Sequence, residues 1–116
     1  MSGGDCLFCR IVAGEIPSEK VYEDEHVTAF KDIHPQAPVH ILVIPNRHIP
    51  SLAEMSPADK ELFGHLLFAV KEIAAASGLS ERGYRLVVNC GKDAGQAVSH
   101  VHFHLLGGRQ MGWPPG

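Results

Sequence analysis

The clearest periodic pattern in the chain is a long segment in which apolar residues recur every three or four positions. Over residues 57–77 this spacing predicts a helix with one buried face. Ser56 suits the position before the helix, Pro57 suits its first turn, and Gly78 suits its end. The residues of the predicted buried face are Leu62, Leu66, Ala69, Val70 and Ile73.

Shorter apolar segments, bounded by turn-forming residues, predict strands. We place these strands at residues 21–23, 27–31, 39–44, 84–89 and 99–106. A short helix is predicted over residues 5–13, with Asp5 as its N-cap. Because strands outnumber helices and most connections are short, we expect an α+β fold, with an antiparallel sheet, one long helix and a short N-terminal helix. The length of 116 residues predicts a single domain over residues 1–116.

The last predicted strand alternates between histidine and apolar residues. His100, His102 and His104 share one face of this strand, and the apolar residues that alternate with them share the other. A rise of about 3.3 Å per residue separates His100 from His104 by roughly 13 Å along an unbent strand. Metal–nitrogen bonds are much shorter than this, so we expect the three histidines to be divided between different roles.

Histidine and cysteine are also the unusual residues of the composition. The chain has eight histidines, and histidine is the side chain best suited to proton transfer and metal ligation near neutral pH. Three cysteines are an odd number, which argues against a disulfide framework and favours a reducing cytoplasm. Cys6 and Cys9 form a C-x-x-C pair, which indicates either metal ligands or a redox pair.

Charge and hydropathy narrow the classes of partner. A net charge of −3 argues against a nucleic-acid partner, which usually requires a basic face. No apolar run approaches the roughly 18 residues of a membrane span, and the N-terminus lacks the pattern of a signal peptide. We therefore expect a cytoplasmic protein without a nucleic-acid or membrane partner.

The H-x-H-x-H motif at residues 100–104, followed by two apolar residues, resembles the histidine triad superfamily. Residues 32–40, 43–45, 88–89, 95–96 and 107–116 extend the resemblance to its nucleotide-binding (Hint) branch. The resemblance covers nearly the whole chain and implies one histidine triad domain with residues 107–116 as a C-terminal tail. It further implies a homodimer that binds purine nucleoside monophosphates. Such proteins hydrolyse phosphoramidates, for example AMP-lysine or adenosine phosphoramidate, to AMP and an amine.

The resemblance also assigns catalytic roles to three histidines. By this comparison His102 is the nucleophile, which attacks the α-phosphorus and forms a nucleotidyl-histidine intermediate. His104 would donate a hydrogen bond to a phosphate oxygen and stabilise its charge, and His40 would support this network from a neighbouring strand.

Further positions match the nucleotide-binding residues of the branch. Asp32 matches the carboxylate that binds the ribose hydroxyls, and Trp113 matches a tail residue on the leaving-group side. Asn89, Gly95, Gln96 and Ala97 match the phosphate-binding segment, next to His102 and His104. The apolar residues that resemble the base pocket, for which ordinary core packing is an equal alternative, are Phe8, Ile16, Phe30, Ile33 and Leu42.

Two departures from the animal Hint proteins stand out. Ala97 occupies a position that is often Ser, where the hydroxyl assists protonation of the leaving group. The Cys6–Cys9 pair is found in bacterial relatives, and by that resemblance Cys6, Cys9, His48 and His100 form a structural zinc site. A redox pair or inert cysteines remain the alternatives.

Other functions remain compatible with the sequence. One is a nucleotide-binding regulatory or interaction protein with incidental hydrolysis, and another is a dinucleoside polyphosphate hydrolase. The related hexose-phosphate uridylyltransferases carry Gln where His104 lies, which disfavours group transfer. We assign no role to His26, His34 and His65, which we expect in loops or on a helix surface.

Overall fold

The computed structural model describes residues 5–116. Five strands form one antiparallel sheet in the order β1-β2-β3-β5-β4. Two α-helices accompany the sheet, which confirms the predicted α+β fold. The predicted domain bounds of 1–116 include residues 1–4, which lie outside the described residues. The strands are β1 (Lys20–Glu23), β2 (Val27–Lys31), β3 (Val39–Pro45), β4 (Tyr84–Val88) and β5 (Phe103–Gly107), and the helices are α1 (Leu7–Val12) and α2 (Lys60–Ala76).

Helix α2 covers one face of the sheet and closes the main core. Its buried residues include Leu66, Val70 and Ile73, which confirms the face predicted from the apolar spacing. The first turn of the predicted helix is instead a 3-10 turn, Pro57–Asp59, and the α-helix begins at Lys60. Sheet residues in the same core are Val27, Ala29, Ile41, Val43, Val101, Phe103 and Leu105.

Helix α1 packs against the opposite face of the sheet. Successive strand residues point to opposite faces, so the neighbours of the main-core residues face α1. This second and smaller core contains Phe8, Ile11, Phe30, Leu42 and Ile44. The histidine face of residues 100–104 lies on this same side of the sheet.

Two of the boundaries that differ from the prediction bear on the site. The N-cap of α1 is Cys6 and not Asp5, and the Sγ of Cys6 accepts a hydrogen bond from the backbone N–H of Cys9 at 3.4 Å. Strand β5 begins at Phe103 and not at residue 99. The preceding residues run beside the loop after β3, where the N–H of Val101 donates to the carbonyl of Ile49 at 2.7 Å. His100 and His102 therefore lie before the strand, in the irregular segment that leads into it.

The described residues contain no helix long and apolar enough to cross a membrane.

Candidate active site and metal centre

Two polar clusters lie on the α1 side of the sheet, one around His100 and the other around His104. His100 is completely buried beside the two thiols of the N-terminal segment. His104 pairs in the sheet with Leu42 of strand β3, and its ring lies beside that of His40 on the same strand. The ring of His102 lies between the clusters, with its centroid 5.1 Å from that of His104.

The backbone fixes the tautomer of His102. Its Nδ1 lies 2.7 Å from the carbonyl oxygen of His100. A carbonyl oxygen can only accept, so Nδ1 carries the proton and Nε2 carries the lone pair. The ring of Phe8 packs edge-on against this imidazole, with centroids 5.1 Å apart. His102 is thus a buried imidazole, and its neutral form has the lone pair on Nε2.

A second backbone group fixes the protons of the other cluster. The N–H of Gln36 donates to Nδ1 of His40 at 3.0 Å, so a neutral His40 carries its proton on Nε2. That Nε2 lies 2.9 Å from Nδ1 of His104 and 3.4 Å from a carboxylate oxygen of Asp32. Donation from His40 to His104 leaves the proton of His104 on its own Nε2. The cluster therefore leaves an N–H donor on Nε2 of His104, whose ring lies next to that of His102.

Asp32, His40 and His104 are called the relay below. Both imidazoles of this relay are neutral near pH 7. Burial, followed by the neighbouring His102 and His40, lowers the pKa of His104 to about 4, against a partial opposing effect of Asp32. Burial also lowers the pKa of His40, and Asp32 again opposes the shift. Burial disfavours the charged form because the site offers less solvation than water. The tautomers of His40 and His104 therefore apply at neutral pH.

The cluster around His100 and the two thiols has the composition of a structural metal site. Its members Cys6, Cys9, His48 and His100 each offer one ligand atom, and these atoms all lie within 4.8 Å of one another. Nδ1 of His100 lies 3.3 Å from Sγ of Cys6, and Nδ1 of His48 lies 3.3 Å from Sγ of Cys9. Tetrahedral zinc with ordinary bond lengths would separate a sulfur and a nitrogen ligand by about 3.6 Å. The donor set and its spacing therefore fit zinc.

The protonation of His100 also suits metal binding. Its Nε2 donates to the carbonyl of Pro45 at 2.8 Å, so the lone pair on Nδ1 faces the thiols. Burial lowers the pKa of His100 and keeps the ring neutral. A histidine ligand held by a carbonyl through its other nitrogen is the usual arrangement around bound metals. Burial, followed by the hydrogen bond and charge of Cys6, raises the pKa of Cys9 to about 11, so this thiol would release a proton on binding zinc.

Residue type alone suggests a second metal set, formed by Asp32, His40 and His104, whose ligand atoms also lie within 4.8 Å of one another. The hydrogen bond from Gln36 argues against it. A metal on Nε2 of His40 would require the proton on Nδ1, where it would oppose the Gln36 N–H. This set therefore fits a proton relay better than a metal site.

The structure brings most of the predicted base-pocket residues together. Phe8, Phe30 and Leu42 are buried in the second core, and Ile16 packs at its margin. Ile33 is separate from them, since 84% of its surface is exposed. Burial in this core is equally what ordinary packing requires, so the pocket assignment stays a prediction.

Several hydrogen-bond donors of the predicted phosphate-binding loop already donate to backbone carbonyls of the protein. The N–H groups of Gly95 and Gln96 donate to the carbonyls of Lys92 and Gly91, at 3.0 and 3.1 Å. The Gln96 side-chain amide donates to the carbonyls of Pro50 and Val98. Asn89 follows the end of β4. Ala97 lines a cleft of about 410 Å³ with Cys6 and His48.

Trp113 lies on the surface, with 82% of its area exposed. The guanidinium carbon of Arg85 lies 5.9 Å from its ring centroid, a cation–π distance. The tail is also tied to the relay, because Nε of Arg109 donates to the carbonyl of Gln36 at 3.0 Å.

Sequence reasoning missed contributions made by the backbone. The carbonyl of Pro45 and the N–H of Gln36 orient His100 and His40, and neither leaves a side-chain signal in the sequence. It also missed the partner of His65. That imidazole lies 2.9 Å from Asp24, which accepts from Tyr22 as well, and the pairing joins positions 41 residues apart. Only the turn-like Asp24 gave a local signal.

Comparisons with known proteins agree with this fold. The family model described as HIT domain matches residues 13–111. A HIT-like protein of Synechococcus elongatus is 54% identical over 112 residues, which cover 97% of each chain. The crystal structure of a HIT family hydrolase from Legionella pneumophila is 54% identical, with a TM-score of 0.95, over 97% of this chain and 100% of that one. A histidine triad nucleotide-binding protein from Candida albicans is 36% identical, with a TM-score of 0.82, over 95% and 83% of the two chains.

Proposed function

Because the chain belongs to the HIT domain family, in which hydrolases and nucleotide-binding proteins occur, we propose that it hydrolyses purine nucleoside phosphoramidates. AMP-lysine and adenosine phosphoramidate are the representative substrates, and AMP and an amine are the products. One observation carries the proposal: the ring of His102, whose Nδ1 faces a backbone carbonyl, has its centroid 5.1 Å from that of His104, whose Nδ1 is occupied by His40. A nucleophile next to a neutral donor suits attack on a phosphoryl centre.

The proposed reaction has two steps on His102. In the first step, Nε2 attacks the phosphorus, the phosphorus–nitrogen bond of the substrate breaks, and the amine leaves with a proton taken from solvent. The ring then carries a positive charge, which the carbonyl of His100 stabilises through Nδ1–H. In the second step, water attacks the phosphorus and the bond to Nε2 breaks, which restores the neutral imidazole. The proton lost by the water passes to solvent.

His104 and Asp32 have separate roles in this proposal. The Nε2–H of His104 donates to a phosphate oxygen, whose charge grows as the bond to His102 forms. The donor is pre-oriented by His40, so no rearrangement is required during the reaction. Asp32, beside His40, binds the ribose hydroxyls. The phosphate binds at the segment that holds Asn89, Gly95, Gln96 and Ala97, where the N–H groups of Gly95 and Gln96, bonded to Lys92 and Gly91, shape the loop. Trp113 contacts the leaving group, and the base lies against the second core.

Zinc is part of the proposal as a structural ion. Cys6, Cys9, His48 and His100 would hold it, and the bound ion would join the N-terminal segment to two distant parts of the chain. The ion supplies no step of the chemistry.

We also propose a homodimer in a cytoplasmic setting. Among residues 5–116, strand β4 pairs with β5 alone and forms one edge of the sheet. An open edge strand is a natural site for a second copy. Light scattering of the purified protein would test the dimer.

The test of the function is turnover of an AMP phosphoramidate by the wild type and by His102→Ala. We expect His102→Ala to lower kcat by about 1000-fold or more, because the nucleophile is lost. His26→Ala is the matched control, since His26 lies at a turn outside the proposed site, and it should keep wild-type turnover. A dinucleoside polyphosphate assayed in parallel tests the alternative hydrolase. Full turnover by His102→Ala would refute the proposed mechanism.

A further inference from the structure

The thiol cluster and the proposed nucleophile share one residue, His100. Its Nδ1 contacts the thiol of Cys6, and its Nε2 donates to the carbonyl of Pro45. Its own carbonyl oxygen accepts from Nδ1 of His102 at 2.7 Å. The side chain of His100 thus belongs to the metal centre, and its backbone holds the nucleophile.

A second connection runs through helix α1. Phe8 lies between the two cysteines in the sequence, and its ring packs against both histidines. The ring centroids of Phe8 and His100 are 5.9 Å apart, and those of Phe8 and His102 are 5.1 Å apart. Any movement of the thiols relative to His100 therefore moves the ring that packs on His102.

These contacts matter because the reactive form of His102 depends on its tautomer. With the proton on Nδ1, the lone pair lies on Nε2, which is the proposed attacking atom. If the carbonyl of His100 were displaced, nothing in this contact would hold the proton on Nδ1. A displacement well under the length of a hydrogen bond would be sufficient, since hydrogen bonds weaken steeply with misalignment.

We propose that Cys6, Cys9 and His48, when they hold zinc together with His100, act as positioning residues for His102. The loaded cluster fixes the carbonyl that selects the tautomer and fixes Phe8 against the ring. Metal loading thereby sets how much of His102 is in the reactive form. The inference rests on the proposed role of His102 as nucleophile, but it makes a claim about the tautomer that can be measured without a substrate.

The experiment compares the full-length protein before and after removal of zinc with a strong chelator. Nitrogen-15 NMR of the imidazole rings reports which nitrogen of His102 carries the proton, and the signals are assigned by their loss in His102→Ala. With zinc, we expect a single Nδ1–H tautomer. Without zinc, we expect a mixture of tautomers and a kcat lowered by about tenfold or more, with a smaller change in KM. Restored zinc should restore both.

Cysteine variants supply the matched comparison. Cys9→Ser should reproduce the effects of the chelator, and Cys90→Ser should keep the zinc content, tautomer and kcat of the wild type. Cys90 is a free cysteine outside the cluster. A purely structural role for zinc would lower the amount of folded protein but leave the tautomer and kcat of the folded fraction unchanged.

Each outcome decides the inference. An unchanged tautomer and unchanged kcat in folded, zinc-free protein would overturn it. If the zinc-free chain unfolds, exchange of zinc for the larger cadmium ion replaces depletion. Altered His102 signals or kcat with cadmium then support the inference, and identical values overturn it. If no sample turns over a phosphoramidate, the proposed function fails, and the NMR signals alone still decide the coupling.

Discussion

The two histidine clusters use similar side chains for opposite purposes. Around His100, a backbone carbonyl accepts the ring proton, and the free lone pair faces two thiols. Around His40, a backbone N–H donates a hydrogen bond to the ring lone pair, and the ring proton faces His104. Both clusters bring potential ligand atoms within 4.8 Å, yet only the first is protonated in a way that suits a metal. The backbone group opposite a histidine therefore decides whether it binds a cation or delivers a hydrogen bond.

The strongest test of this contrast is the removal of both thiols. We expect Cys6→Ser/Cys9→Ser to change the zinc content from one equivalent per chain to none, because serine is a far weaker zinc ligand. The relay cluster, although intact, should not take up the metal. Elemental analysis after dialysis against zinc checks this. A variant that still held one equivalent would show that Asp32, His40 and His104 bind metal after all.

Loss of the relay donor should have the next largest effect. His104→Phe removes the N–H beside His102, and we expect kcat for an AMP phosphoramidate to fall by about 100-fold. His104→Gln retains an N–H donor and should retain more activity. The zinc content of both variants should match the wild type, since His104 is not a ligand of the thiol cluster. Equal rates for His104→Phe and the wild type would contradict the assigned role.

The relay should also impose a pH dependence on folding. The pKa of His104 is about 4 in the folded chain and near 6.5 without its environment. Between these values the unfolded chain binds more protons, so the free energy of unfolding should fall as the pH decreases from 6.5 to 4, by at most about 3 kcal/mol. Urea unfolding at several pH values would measure this change.

The control for the pH experiment separates the protonation of His104 from the protonation of zinc ligands. Both the relay variant and its parent should carry Cys6→Ser/Cys9→Ser, so that proton uptake by released zinc ligands does not contribute. In that background His104→Phe should show a shallower loss of stability on acidification. Parallel curves for the two proteins would assign the pH dependence to other groups.

The smallest expected effect concerns Ala97, which lines the cleft next to the thiol cluster. We expect Ala97→Ser to raise kcat a few-fold for substrates with poor leaving groups, because a hydroxyl could assist protonation of the amine. Substrates with good leaving groups should respond less. No gain, or a loss, with the poor leaving groups would argue against this role.

The sequence predicted those features that depend on local periodicity. Alternation along residues 100–104 predicted that Val101 and Phe103 share the face opposite the histidines, and both lie in the main core under α2. The apolar spacing of α2 predicted its buried face for the same kind of reason. The assignment of the triad itself rested on resemblance, and the side-chain roles remain proposals.

The features that escaped prediction depend on contacts between distant backbone segments. His100 meets the carbonyl of Pro45, 55 residues away, and the start of β5 at Phe103 reflects the loop that runs beside the preceding residues. No local pattern encodes such a contact. The tautomers of His100 and His40 follow from these backbone groups, so the difference between the two clusters is visible only in the folded chain.

The position of β5 between β3 and β4 has a consequence for the order in which the molecule opens. Amide hydrogens of a central strand, bonded on both sides, exchange with solvent only in large opening events, whereas a six-residue helix such as α1 can detach in small ones. Deuterium uptake should therefore begin at the thiols and reach His104 last. If zinc positions His102 as proposed, withdrawal of the metal would then lower kcat while the sheet stays folded, and added zinc would restore it.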